Sequence, residues 1–286
     1  MTKVEKKRVS ILGCGWLGFP LAQRLLTHDI SLVVKGSTTS DRKLALFESE
    51  GIIGYQFDLT PNFNCADAQI LSFMNCDTLV IAIPPKTAKH GQNFHVHQIQ
   101  AIVHVLASSS AKEIIYISST SVYPQINRVL IEDDVYLPEQ SASPAMVRAE
   151  NLLIALRPEK TVCILRLGGL MGYERIPGKY VRGQKDMTTG SIPVNYIHRD
   201  DAAKIIAQII ESGIKNETFN IVAPLHPTRK EVYVASCEQF GWESPTFITP
   251  DTPPDFKIIS SEKLTRYYNH DFRYPNPLLF HYESKE

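Results

Sequence analysis

Gly13-Cys14-Gly15-Trp16-Leu17-Gly18 is the stretch of this 286-residue chain whose residue types and spacing point most directly to chemistry. A short apolar run, Val9 to Leu12, precedes it, and apolar residues at helical spacing (Leu17, Leu21, Ala22, Leu25, Leu26) follow it. The order is strand, tight turn, helix start. Gly13 permits the turn, Gly15 lets a pyrophosphate approach the backbone, and Gly18 lets helix and strand pack closely. The N–H groups of the helix start, at Trp16 and Leu17, then face the phosphates. The spacing predicts a dinucleotide site; a chance glycine-rich turn is the plainer alternative.

The second strand leads into Ser37-Thr38-Thr39-Ser40-Asp41-Arg42-Lys43. A fold that prefers NAD places an acid about 20 residues past the glycines, on the ribose hydroxyls. Here no acid appears until Asp41. The hydroxyls of Ser37, Thr38 and Thr39 and the guanidinium of Arg42 suit a 2′-phosphate, so NADP is preferred over NAD. Alternatively Ser37–Ser40 cap the next helix and Arg42 is solvated. Asp58 and Leu59 after the third strand, Ile83, Pro84 and Pro85 after the fourth, and Ser118 complete the expected cofactor contacts. Asp58 either accepts from the adenine amino group or is a turn aspartate.

Strand signals at Val9–Leu12, Ser31–Val34, Ile52–Phe57, Thr78–Ile83, Glu113–Ile117 and Thr161–Leu165 alternate with helical patterns. Those lie near Leu17–Thr27, Asp41–Glu50, Ala66–Phe73, Asn93–Ser108 and Pro144–Leu156. Strands this apolar are covered on both faces, which predicts an α/β fold with a doubly wound parallel sheet of Rossmann type. Ser143-Pro144 reads as an N-cap and first-turn proline. Residues 1–165 are assigned to this dinucleotide-binding domain. Residues 166–286 form a small C-terminal substrate lobe, with 199–222 returning to the sheet. That lobe has a helix at Asp200–Ile210, a strand at Thr218–Val222, a helix at Thr228–Phe240 with Thr228 as cap, and a proline-rich tail with one strand candidate at Lys257–Ser260.

Thirty basic and thirty acidic residues cancel, so no global field draws the chain to nucleic acid or anionic lipid. The Lys3–Arg8 cluster reads as a solvated terminus. No apolar run reaches the roughly 18 residues of a membrane span, and the charged start lacks the apolar core of a signal peptide. A cytoplasmic location is expected. The five cysteines (Cys14, Cys65, Cys76, Cys163, Cys237) form no CxxC pair and read as reduced thiols. His95-x-His97 falls in a helical pattern, where residues two apart diverge, so no metal site is expected.

With Ile117-Ser118-Ser119-Thr-Ser-Val-Tyr123-Pro124 in view, the chain resembles the extended short-chain dehydrogenases/reductases, the family of NAD-dependent sugar-nucleotide epimerases and dehydratases. The resemblance spans most of the chain. It rests on the early glycine motif, that serine block, Arg166-Leu-Gly-Gly-Leu-Met-Gly172, and Val194-Asn-Tyr-Ile-His198-Arg-Asp-Asp201. Atypical members similarly carry Gly-Cys-Gly-Trp-Leu-Gly and Gly-Ser-Thr-Thr. The family implies Ser119 as the group that polarises the substrate oxygen. Its acid/base is a tyrosine in a Tyr-x-x-x-Lys helix, the lysine and nicotinamide lowering the tyrosine's pKa. Aligning Glu150 with the glutamate that commonly follows that lysine puts Ala142 and Met146 at the two positions. No tyrosine here has a lysine four residues on.

Replacement proton donors are therefore sought at Tyr123, Tyr173, Tyr196 and His198, each with packing as its alternative. Arg148 lies off the Ala142/Met146 face. The Arg175–Arg182 loop, with Lys179 and Tyr180, suits a phosphate or carboxylate, or is an exposed basic loop. Two readings stay open. One is an NADP- or NAD-dependent oxidoreductase or epimerase-like enzyme acting on a small polar or nucleotide-linked substrate, with Ser119 and Tyr123 catalytic. The other is a non-catalytic redox sensor. Many relatives dimerise through the helices spanning Asn93–Ser108 and Pro144–Leu156, and a homodimer is expected by that analogy alone.

Overall fold

Seven strands, most of them runs of aliphatic and β-branched residues, pair into one sheet. They are β1 (Arg8–Leu12), β2 (Val33–Thr38), β3 (Ile53–Gln56), β4 (Thr78–Ile81), β5 (Glu113–Ser119), β6 (Thr161–Leu167) and β7 (Thr218–Ile221). Their order across the sheet is β7-β6-β5-β4-β1-β2-β3, and every pairing is parallel. This computed structural model describes residues 6–29 and 31–284. Lys3–Glu5 of the Lys3–Arg8 cluster lie outside them; Lys7 and Arg8 pair with Glu113 and Asp77 at the start of the sheet.

The inner strands are buried on both faces because helices cover both, whereas the edge strand β3 is largely exposed. Gly18–His28 and Arg199–Ser212 pack on one face, sharing a core of Leu21, Leu25, Ile206 and Phe219. Ala68–Met74, Asn93–Leu106 and Pro144–Ile154 cover the other, around Phe73, Ile99, Ile102 and Leu153. The strand order reverses between β1 and β4, and the crevice beyond their carboxyl ends is where such sheets take ligands.

The smaller lobe is pinned by short pairings. Arg128–Leu130 pairs with Lys257–Ile259, and Gly169–Met171 pairs with Tyr196–His198. Residues 128–130 thus join a structure otherwise built after residue 166, while β7 adds to the sheet edge beside β6. Thr228 and Glu231 form a reciprocal capping box for the helix Arg229–Gln239. Ser143 departs from expectation. Its hydroxyl makes no cap bond and instead donates to the Ser121 carbonyl at 3.1 Å, tying helix Pro144–Ile154 to the turn after β5. No helix among the described residues is long and apolar enough to cross a membrane.

Candidate functional site

The glycine turn follows β1 and is built so that no side chain fits at its first and last glycines. Gly13 has φ +88°, and a Cβ there would lie 2.8 Å from the Ala82 carbonyl oxygen just after β4. A Cβ on Gly18 would lie 2.7 Å from the Gly13 carbonyl oxygen. At Gly15 the nearest atom would be 4.0 Å away, so its missing side chain leaves open space above the turn. Ser37 at the end of β2 braces the turn: the Gly13 amide donates to its hydroxyl at 2.9 Å, and the Cys14 amide to its carbonyl at 2.8 Å. The Trp16 and Leu17 amides have no acceptor among the described residues. A space that a Cβ would fill, with unmet helix-start donors beside it, fits a dinucleotide pyrophosphate.

The turn opens into a cleft of about 690 Å³. Of the residues expected to hold a cofactor, Gly13, Gly15, Trp16, Leu17, Ser37, Thr38, Thr39, Asp58, Leu59, Ile83, Pro84, Pro85 and Ser118 all line it, as does Ser119. Gly18 lies beneath, packed on β1. Arg42 does not line the cleft. Its side chain is exposed at the first turn of the helix Arg42–Ser49, and Lys43, one residue on, faces the cleft instead. The Asp41 carboxylate accepts from the Arg42 amide, so the first acid after β2 is a helix cap. Asp58 is paired with Lys86 at 3.6 Å. The Cys14 thiol is buried against Gly36, and burial pushes its pKa up to about 12.

Ser119 ends β5 at the inner wall. Its Oγ accepts from the Ser121 amide at 3.1 Å, so its own proton stays available to donate. Ser118 is buried and donates to Glu150. Ala142 and Met146 both line the cleft. They carry no ionisable group to the positions that the resemblance assigns to tyrosine and lysine.

Tyr123 is removed from the acid/base candidates. It is fully buried, its hydroxyl donates to Asn220 Oδ1 at 2.6 Å and accepts from Arg166 at 2.9 Å, and burial pushes its pKa up to about 12. Its role is to join β5, β6 and β7. Tyr173, Tyr196 and His198 also lie off the cleft. Tyr173 donates to Asp200 at 2.8 Å. His198 is buried against Tyr274, accepts from the Asp200 amide at 3.2 Å and donates to the His281 carbonyl. Arg148 is exposed and donates to Asn93.

Sequence reasoning passed over a polar string on the cleft wall. Gln98 donates to the Leu59 carbonyl, so its oxygen accepts from His95 Nδ1 at 3.1 Å. That leaves His95 Nε2 as the acceptor for the Tyr116 hydroxyl at 2.7 Å. Burial keeps the His95 pKa below its ordinary value. The signal was available: His95 and Gln98 are three apart, on one face of a helix whose start meets the sheet crevice. His97 is exposed, and among the described residues no cluster of His, Cys, Asp or Glu has metal-binding geometry.

Comparisons with known proteins agree with this geometry. The model of the NAD dependent epimerase/dehydratase family matches residues 9–222. Protein YeeZ of Escherichia coli (strain K12) is 30% identical over 273 residues, covering 96% of this chain and 98% of that protein. Two solved structures share the fold. UDP-glucuronic acid 4-epimerase from Bacillus cereus, in complex with UDP-glucuronic acid and NAD, has a TM-score of 0.75 at 16% identity over 95% of each chain. Vestitone reductase from alfalfa (Medicago sativa L.) has a TM-score of 0.73 at 19% identity over 96% of each.

Proposed function

The chain belongs to the NAD-dependent epimerase/dehydratase family, and from that premise we propose that it is an NAD(P)-dependent oxidoreductase or epimerase-like enzyme for a small polar or nucleotide-linked substrate. The cofactor supplies hydride chemistry when bound. Gly13, Gly15 and the Trp16 and Leu17 amides receive its diphosphate, and Ser118 and Ser119 stand at the far wall. NADP is the preferred form: Ser37, Thr38, Thr39 and Lys43 line the cleft after β2, the first acid there, Asp41, is a helix cap, and Asp58, which lines the cleft after β3, is paired with Lys86. Lys43 takes the role first expected of Arg42.

Ser119 carries the catalytic side of this reading. It lines an open cleft with its hydroxyl proton unspent, placed to donate to a substrate oxygen. The test is oxidation of NADPH or NADH by pure protein across a panel of carbonyl and nucleotide-sugar substrates, with Ser119→Ala as the control. Turnover that falls in the variant supports the enzyme.

A second reading, a dinucleotide sensor without turnover, is favoured by Ala142 and Met146 on the cleft wall. Tight binding with no oxidation across the panel would select it.

A further inference from the structure

Two arginines of the second lobe flank the Trp16 ring. The Arg175 guanidinium lies 4.0 Å from its centroid and that of Arg199 5.2 Å. Their charges are met differently. Arg199 also stacks on Tyr173 at 3.7 Å and lies 3.7 Å from the Asp200 carboxylate. Arg175 is half-buried and lines the cleft; its backbone pairs with Gly172, but its guanidinium has neither hydrogen bond nor carboxylate partner among the described residues.

A guanidinium keeps its charge at any ordinary pH. Partial removal from water makes an unpaired charge costly, so a cation in such a place calls for an anion. Stacking on the indole fixes the plane of the fork and keeps its N–H edge for a planar, bidentate acceptor. Trp16 adds unmet donors of its own: the indole Nε1 is buried without an acceptor, and its backbone amide and that of Leu17 have none among the described residues. Unmet donors therefore gather on two stacked residues, one at the glycine turn and one from the opposite lobe.

We propose that Arg175 is a diphosphate ligand, reaching from the second lobe onto the Trp16 platform to clamp the dinucleotide seated at the glycine turn. The inference rests on the dinucleotide reading above. It also couples the two lobes, because the Gly172–Tyr180 segment then contacts the cofactor directly. A phosphate or carboxylate of the substrate offers the same chemistry, and the two sources separate by experiment.

The full chain is titrated by calorimetry with NADH, ADP and adenosine, as native protein and as Arg175→Gln and Arg175→Lys. Loss of one charge-assisted contact corresponds to about tenfold to hundredfold in Kd. Arg175→Gln is expected to weaken NADH and ADP by that factor and to leave adenosine unchanged, with Arg175→Lys between. The chain has two tryptophans, and Trp242 stacks on Phe240. In a Trp242→Phe background, ADP should change Trp16 emission with Arg175 present and not with glutamine there. If Arg175→Gln fails to fold, Arg175→Lys carries the test alone: weaker NADH and ADP with adenosine unchanged supports the proposal, and native-like binding of both overturns it. NADH and ADP binding within about twofold of native in both variants overturns the proposal and assigns Arg175 to a substrate anion. A native chain that binds neither NADH nor ADP overturns the dinucleotide reading itself.

Discussion

Arg166 and Glu150 meet in a buried, two-point ion pair: Nη2 donates to Oε2 at 2.7 Å and Nε to Oε1 at 3.1 Å. The two residues are 3% and 1% exposed. The same Oε1 accepts the Ser118 hydroxyl, and Arg166 also donates to Tyr123 and to the Glu132 and Val135 carbonyls. One carboxylate thus fixes the end of β5, the helix Pro144–Ile154 and β6 against each other. That helix carries Met146, and Ala142 lies two residues before its start; both sit on the cleft wall.

Removing the carboxylate strands a buried cation. Glu150→Leu is expected to cost about 3–5 kcal/mol of stability. Urea denaturation followed by circular dichroism checks this. A loss below about 1 kcal/mol, the range of an exposed pair, would contradict it.

Tyr123 and Ser119 should separate stability from chemistry. Tyr123→Phe leaves Asn220 Oδ1 and an Arg166 N–H without their partner and should cost about 1–3 kcal/mol. Its effect on turnover should be small. Ser119→Ala should leave the melting temperature nearly unchanged and lower turnover about a hundredfold, as loss of one donor to a developing oxyanion does. The reverse pattern would return Tyr123 to the chemistry.

Cofactor choice should follow Lys43 and not Arg42. Calorimetry with NADPH should show about tenfold weaker binding in Lys43→Ala, one lost charge-assisted contact, and no change in Arg42→Ala. NADH binding should be insensitive to both. Loss of NADPH affinity in Arg42→Ala alone would restore Arg42 as the phosphate ligand.

His270 gives stability a pH dependence. Burial, helped by Lys204, lowers its pKa from 6.5 to about 4. The unfolded chain takes up this proton as pH falls through 6.5 while the folded chain does not, so its contribution is complete above pH 6.5 and is lost toward pH 4. One proton corresponds to about 1.4 kcal/mol per pH unit. His270→Phe should flatten the slope of unfolding free energy across this window by about that amount; an unchanged slope would show that other groups set it.

The sheet was legible because its strands are mostly unbroken apolar runs with a helical period after them, and the observed spans differ from those read in sequence mostly at their ends. β2 runs on to Thr38 because Ser37 must brace the glycine turn, a contact no local pattern announces. Arg128–Leu130 gave no signal because its pairing partner lies about 130 residues away at Lys257–Ile259. The helix Glu262–Tyr268 was hidden among prolines and is held by burial of Leu264 and Tyr268. At the site, glycines and hydroxyls were readable from spacing. Which of Arg42 and Lys43 faces inward depends on helix phase, and whether Tyr123 reaches a substrate depends on burial.

Gly15 offers the most direct test of the dinucleotide site. The turn has room for a side chain there, since a Cβ would meet no atom closer than 4.0 Å, whereas Gly13 has none. Gly15→Val should therefore fold and melt like the native chain while losing NADPH and NADH binding in calorimetric titration. Native-like binding of either dinucleotide by a folded Gly15→Val protein would contradict the account, because the diphosphate would then lie elsewhere.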